Sequence, residues 1–197
     1  WDVDIRRMQP FQANRRYLEN RVSETLGLLY ADHFPYRQFE TARDVRQSPV
    51  HDRLKAAGAC FGEVSGWERA NWFLPQVQRE RGLKPRYEYS WKRQNWFDYS
   101  AKEHLAVRER VGMFDMSSFG KIRVVGRDAE AVLQRIAAND VAVEPGKIVY
   151  TQFLNKGGRI EADVTISRLS SDEFLVVTPA ATLSLIHISE PTRQWQI

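Results

Sequence analysis

The chain has 197 residues, 43% hydrophobic, 27% charged and 12% aromatic, with six Trp, seven Tyr and ten Phe. That composition excludes intrinsic disorder and supplies apolar matter for one good core or two small ones. The one cysteine, Cys60, excludes a disulfide framework and a multi-thiolate metal site, and suits a reducing compartment. Twenty-nine Lys and Arg against 25 Asp and Glu give a formal charge of +4, with the signs interspersed along the chain. A solvated mixed surface explains that pattern before an anionic ligand does, and a nucleic-acid partner is not expected. No apolar run approaches the ~18 residues of a spanning helix, so no membrane partner is expected either.

The first residue is Trp1, with no initiator Met or signal-like segment before it. The chain is therefore read as a fragment without its targeting end. At the other end, Leu183 to Arg193 resembles the conceptual translation of a transposase sequencing adaptor. Residues 183–197 are set aside from fold and site reasoning, His187 among them.

Asn14 is a good helix N-cap, and Leu18, Val22, Leu26 and Leu29 recur at helical spacing, leaving Arg15, Arg16, Glu19 and Glu24 on the wet side. Ser48-Pro49 opens a second helix through Leu54 that stops at Gly58. Ala59 to Val64 reads as a strand, Gly66 to Phe73 as an aromatic loop, and Gln76 to Pro85 as a polar surface insertion. Ser100 and Glu103 form the S-x-x-E pattern of a capping box, opening a helix to about Val111 on which His104 joins the apolar side with Val107. Gly120 to Val125 is a strand, and Asp128 caps a helix carrying Val132, Leu133 and Ile136. Strands over 147–154, 159–168 and 173–178 follow as an antiparallel meander, the first turn supplied by Asn155-Lys156-Gly157-Gly158. The order is that of an α+β fold.

The strand over 159–168 carries the most chemistry. Ile160, Ala162, Val164 and Ile166 share one face by period two, and Glu161, Asp163, Thr165 and Ser167 share the other. The polar face is either a half-solvated surface or the lining of a pocket in which Asp163 or Glu161 accepts hydrogen bonds from a ligand's N–H groups, with Tyr150 as an aromatic wall. Periodicity does not choose between them. Asn139-Asp140 reads as a helix stop, Trp67, Trp72 and Trp96 as core or interface aromatics before a base-stacking platform, and Cys60 as a buried inert thiol. His33 and His51 are too far apart in sequence to argue a metal site, so no metal is expected. No G-x-G-x-x-G, P-loop or nucleophile-elbow motif is present.

Four blocks from Ser100 onward nevertheless stand in a telling order: 112–121 (GMFDMSSFGK), 138–141 (ANDV), 150–158 (YTQFLNKGG) and 161–165 (EADVT). They resemble the folate-binding aminomethyltransferase family, the T-protein of the glycine cleavage system and its relatives. Upstream, Trp1 to Arg7, Ser48 to Leu54, Gly66 to Phe73 and Arg93 to Phe97 are similar to dimethylglycine and sarcosine dehydrogenases, in which such a stretch joins a flavin-dependent amine oxidoreductase domain to the folate domain. The resemblance implies the end of a flavin-oxidoreductase central domain over 1–57, a linking segment over 58–99, the first part of a folate-binding domain over 100–182, and the adaptor-like 183–197. Asp163 matches the family's acidic residue beside the folate, and Tyr150, Phe119 and Thr165 match positions lining the pterin pocket. Phe119 stands where T-proteins commonly have methionine, and Glu161-Ala162-Asp163 where they have paired Asp-Asp.

The implied activity is oxidative demethylation of an N-methylglycine with one-carbon transfer to tetrahydrofolate. FAD serves in the parent protein, at a site outside this chain. The implied partners are the N-methyl amine, folate, the missing N-terminal flavin domain and the rest of the folate domain. A bacterial parent would be cytoplasmic and a eukaryotic one in the mitochondrial matrix. An aminomethyltransferase with an N-terminal extension and a non-catalytic folate-binding module remain as alternatives. The chain alone is expected to be inactive and, with Ile160, Val164 and Ile166 uncovered, prone to aggregate.

Overall fold

The computed structural model describes residues 13–182. The family-like block at Trp1 to Arg7 and the adaptor-like 183–197 lie outside the described residues. Two compact units are present, divided between Ser118 and Phe119.

In the first unit, helix α1 (Arg15–Leu29) starts where expected, with Asn14 Oδ1 accepting the Tyr17 N–H at 3.2 Å. Its apolar row is not the buried side: Leu18, Val22, Leu26 and Leu29 are exposed, and Arg21 is buried instead. Arg21 Nη1 donates to Glu63 at 2.8 Å and Nη2 to the Thr41 carbonyl at 2.7 Å, with the guanidinium 4.0 Å above the Phe39 ring. Glu24, expected on the wet side, accepts the N–H groups of Glu40 and Thr41, each at 2.8 Å. Charge pairing with the following segment, rather than apolar periodicity, thus seats this helix.

Helix α2 (His51–Ala56) begins two residues beyond Pro49, because the Ser48 carbonyl takes the His51 N–H and closes a turn first. Gly58 ends it in the left-handed region, φ +93°, and a Cβ there would stand 2.5 Å from the Leu74 carbonyl oxygen. Strands β1 (Ala59–Val64) and β2 (Trp67–Phe73) pair antiparallel, from Ala59 with Phe73 to Val64 with Trp67. The expected aromatic loop is therefore a strand. Ser65 (φ 52°) and Gly66 (φ 80°) make the two-residue turn with both residues left-handed that suits strand twist.

Helix α3 (Gln76–Glu80) is a short turn of the surface insertion, and α4 (Phe97–Glu109) starts three residues before Ser100. No capping box forms: Glu103 reaches across to accept the Phe73 N–H at 2.8 Å. His104, expected in the core, is exposed, as are Val107 and Val111; among the described residues the buried histidine is His51, stacked on Phe61. Cys60, Trp72 and Leu74 form the unit's core, edged by Tyr87, Trp96 and Tyr99. Trp72 and Trp96 are therefore packing residues, while Trp67 lies under the Arg46 guanidinium.

In the second unit, β3 (Gly120–Val125), α5 (Ala129–Ile136), β4 (Ile148–Leu154), β5 (Ile160–Arg168) and β6 (Glu173–Thr178) build an antiparallel sheet in the order β3-β6-β5-β4 with one helix against it. The α+β fold and the meander stand as expected, although Asp128 makes no side-chain capping bond. Ala162, Val164, Ile166, Phe174 and Val176 pack with Ala129, Leu133 and Val141. The expected exposure of Val164 and Ile166 is thus overturned: each is 1% exposed, because α5 and the segment after it cover that face. Only Ile160 is open, at 68%, beyond a register slip between Phe153 and Leu154 where the ladder skips Glu161.

Candidate functional site

The sheet's other face carries the sequence-predicted residues. The β4–β5 register sets Tyr150 opposite Thr165 and Gln152 opposite Asp163, and strict alternation turns all four to the side away from the core. Tyr150 Oη donates to Asp163 Oδ2 at 2.8 Å, and Gln152 Nε2 donates to Oδ1 at 3.1 Å. Each carboxylate oxygen of Asp163 thereby has one donor and a remaining lone pair. The carboxylate holds the proton on Tyr150 and raises the phenol's pKa above its ordinary value of 10.

An enclosed pocket around Asp163 was the expectation, and the geometry corrects it. Asp163 is exposed and Tyr150 is 61% exposed, so within this unit the face is open to water. Thr165 is half-buried. Phe119, also half-buried, precedes β3 at the opposite sheet edge from Tyr150. Extending the β3–β6 register by one residue and the β5–β6 register by two sets it in Asp163's row, two strands or roughly 10 Å away.

Gln152 is the participant that residue typing missed. Its signal was available, since it lies two positions from Tyr150 and shares its face, but the bulge beside Leu154 decides that Asp163 rather than Ala162 meets it. Glu161 is engaged by Asn155 Nδ2 at 2.6 Å, within the turn that joins the strands. Asn139 and Asp140 serve structure: Asn139 donates from its N–H to Thr151 and from Nδ2 to the Tyr150 carbonyl, tying the helix stop to edge strand β4. Asp140 takes Gln134 and the Ala142 N–H. Cys60 is buried as expected, and burial pushes its thiol up to about 11. Among the described residues no group of three or more His, Cys, Asp or Glu is placed to hold a metal ion, and no helix is long and apolar enough to cross a membrane.

The four-stranded antiparallel sheet with a single covering helix belongs to a class that comparison with known proteins names. Residues 50–187 match the family model described as the GCVT N-terminal domain, and residues 1–48 match that of the FAD dependent oxidoreductase central domain. The chain belongs to the GCVT N-terminal domain family.

Over 180 residues it is 52% identical to 4-methylaminobutanoate oxidase (formaldehyde-forming) of Paenarthrobacter nicotinovorans, covering 91% of the chain and 21% of that protein. The mitochondrial pyruvate dehydrogenase phosphatase regulatory subunit of Mus musculus is 35% identical, with 91% and 20% covered. Human mitochondrial sarcosine dehydrogenase is 33% identical, with 85% and 20% covered. The chain thus spans about a fifth of the length of these relatives. Aminomethyltransferase T of the glycine cleavage system from Bartonella henselae shares the fold, with a TM-score of 0.57 at 23% identity over 74% of this chain and 34% of that one.

Proposed function

We propose that this chain is part of a flavin- and folate-dependent N-methyl amine dehydrogenase or oxidase, and that its Asp163 face is where tetrahydrofolate is held. The observation that carries the reading is the Asp163 carboxylate, fixed by Tyr150 and Gln152 yet open on its outer side. An N–H-rich heterocycle fits such a group: spare lone pairs accept its donors, and the Tyr150 ring offers an apolar flank. Tetrahydrofolate, when bound, supplies the nucleophilic amine that captures the one-carbon unit released by amine oxidation.

This chain's residues do the rest. Asp163 orients the amine and accepts its proton, help of a kind typically worth ~10²–10⁴ in rate. Tyr150 and Gln152 hold both carboxylate oxygens in place, and the raised phenol keeps Tyr150 a donor at neutral pH. Thr165, in Tyr150's row, and Phe119, in Asp163's row, complete the wall. FAD would act in the preceding oxidoreductase domain, to which 1–48 is similar. We place the preferred amine among sarcosine, dimethylglycine and related N-methyl amino acids, a range that the name of the 52% identical relative supports.

The regulatory-subunit relative favours a second reading, a folate-binding module without turnover. Turnover of the full-length protein with an N-methyl amino acid and tetrahydrofolate decides between them. Amine consumption with stoichiometric methylenetetrahydrofolate supports the enzyme. Tetrahydrofolate binding without amine consumption supports the module, and conversion only with an aminomethyl donor supports an aminomethyltransferase.

A further inference from the structure

We propose that the exposed apolar stripe of α1, built by Leu18, Val22, Leu26 and Leu29, is the seam on which the remainder of an FAD dependent oxidoreductase domain of the same polypeptide packs. The helix carries two stripes. Tyr17, Arg21, Glu24 and Leu28, at helical spacing, are its buried and half-buried side, turned to the 13–118 unit. Arg21 and Glu24 hold that side in place through Glu63, the Thr41 carbonyl and the N–H groups of Glu40 and Thr41. Leu18, Val22, Leu26 and Leu29 recur at the same spacing roughly a third of a turn further round. They are 37, 45, 57 and 68% exposed.

Single exposed leucines are ordinary on a protein surface, but an apolar row at helical spacing is what an amphipathic helix lays on a core. Here the unit takes the charged side of the helix, so the core that the apolar row fits is a different one. Arg15 and Glu19, beside the row, neutralise each other at 2.9 Å, which leaves the incoming surface no unbalanced charge to match at that flank.

The occupant follows from where the helix lies. Residues 1–48 match the FAD dependent oxidoreductase central domain, and α1 falls wholly within them. Over the described part of that stretch, 13–48, the buried residues are Arg21 and Ser48, both polar. The apolar cores around Trp72 and around Val164 are built from residues after position 48. A stretch with no buried apolar side chain does not close a domain by itself. The chain spans about a fifth of its relatives' length, which leaves room for the rest of that domain in the same polypeptide. A tethered partner is at high effective concentration, so a narrow seam of this kind suffices to hold it. The inference rests on the part of the proposed function that gives the full-length protein an oxidoreductase domain, and not on the Asp163 face.

The test is Leu26→Cys, made in the 197-residue chain and in the full-length protein and labelled with N-ethylmaleimide at neutral pH, with the α1 peptide read by mass spectrometry. Cys60 does not compete in the native chain, because it is buried and its thiol is pushed up to about 11. Ser23→Cys, exposed on another side of the helix, controls for access. Both variants should label promptly in the 197-residue chain, and in the full-length protein Leu26→Cys alone should label at least about tenfold more slowly. Leu26→Glu should leave the melting of the 197-residue chain within about 2 °C of wild type. In the full-length protein it should lower the midpoint read by flavin fluorescence by at least about 5 °C. Should that variant not fold, the labelling decides alone.

Slow labelling already in the 197-residue chain, equal labelling of Leu26→Cys in both proteins, or a flavin midpoint indifferent to Leu26→Glu would overturn the proposal. Protection that grows with protein concentration would give the stripe to a second copy and overturn it as well. Protection in a full-length protein that carries no flavin would remove the named occupant together with the oxidoreductase reading. Bound flavin with an unprotected Leu26→Cys thiol would sink the seam alone and leave that reading standing.

Discussion

Replacing Glu63 by glutamine should cost the 13–118 unit about 3 kcal/mol, at the lower end of what breaking a buried ion pair costs. The Glu63 and Arg21 side chains are 7% and 8% exposed, with Nη1 and Oε2 2.8 Å apart. Glutamine keeps an oxygen for the Gly66 N–H in the hairpin turn but aims an amide N–H group or a neutral oxygen at a buried guanidinium. Arg21 would retain the Thr41 carbonyl and the Phe39 ring, which is why the lower end applies. For a unit of this size the loss corresponds to a Tm decrease on the order of 10–20 °C. Trp67, Trp72, Trp91 and Trp96 all lie in this unit and 119–182 contains no tryptophan, so with Trp1 and Trp195 replaced by phenylalanine, tryptophan fluorescence during thermal or urea unfolding reads it selectively. The apolar double variant Arg21→Met with Glu63→Leu should recover part of the loss, since no charge is left unpaired while the Gly66 N–H and the Thr41 carbonyl lose their side-chain partners. A cost below about 1 kcal/mol for Glu63→Gln, the value of an exposed pair, would refute the claim that charge pairing seats α1.

Cys60 should stay unmodified by thiol reagents at pH 8 in the native chain and react at once in denaturant, because its thiol is pushed up to about 11; prompt native labelling would contradict this. Glu103 has a raised folded pKa, so its protonated form is favoured by folding and stability falls as pH rises from the unfolded value toward the folded one. Unfolding of Glu103→Gln against wild type at pH 4 and pH 7 should therefore show the variant gaining relative stability at the higher pH, and a pH-independent difference would dismiss the burial argument. Tyr150 should ionise above the ordinary phenol range in a UV titration, and Asp163→Asn should bring it down; a phenol indifferent to that change would place the two side chains apart in solution.

Much of the second unit is legible in the sequence, because its signals are local. Gly120–Val125 and Glu173–Thr178 match their period-two patterns, and Asn155 with Gly158 marks the hairpin. The first unit is less so. Its α1 is seated through pairs 42 residues apart in sequence, Arg21 with Glu63, which no helical wheel reveals. The Ser100–Glu103 pattern satisfied the capping rule on paper, but an N–H of β2 competed for the same carboxylate and won. Trp67–Phe73 read as a loop because its aromatics obscured the alternation and the Ser65-Gly66 turn supplies the only punctuation. At the candidate site, Asp163 and Tyr150 were found by pattern and resemblance, whereas Gln152 depended on a one-residue slip that lies in the backbone geometry alone.

The direct trial is Asp163→Ala in the full-length protein, with amine consumption and methylenetetrahydrofolate formation measured in the same reaction. Amine oxidation should proceed at the wild-type rate while methylenetetrahydrofolate falls by about 10²-fold or more and free formaldehyde rises in its place. Unchanged methylenetetrahydrofolate formation would remove Asp163, and the face that Tyr150 and Gln152 build around it, from the one-carbon chemistry.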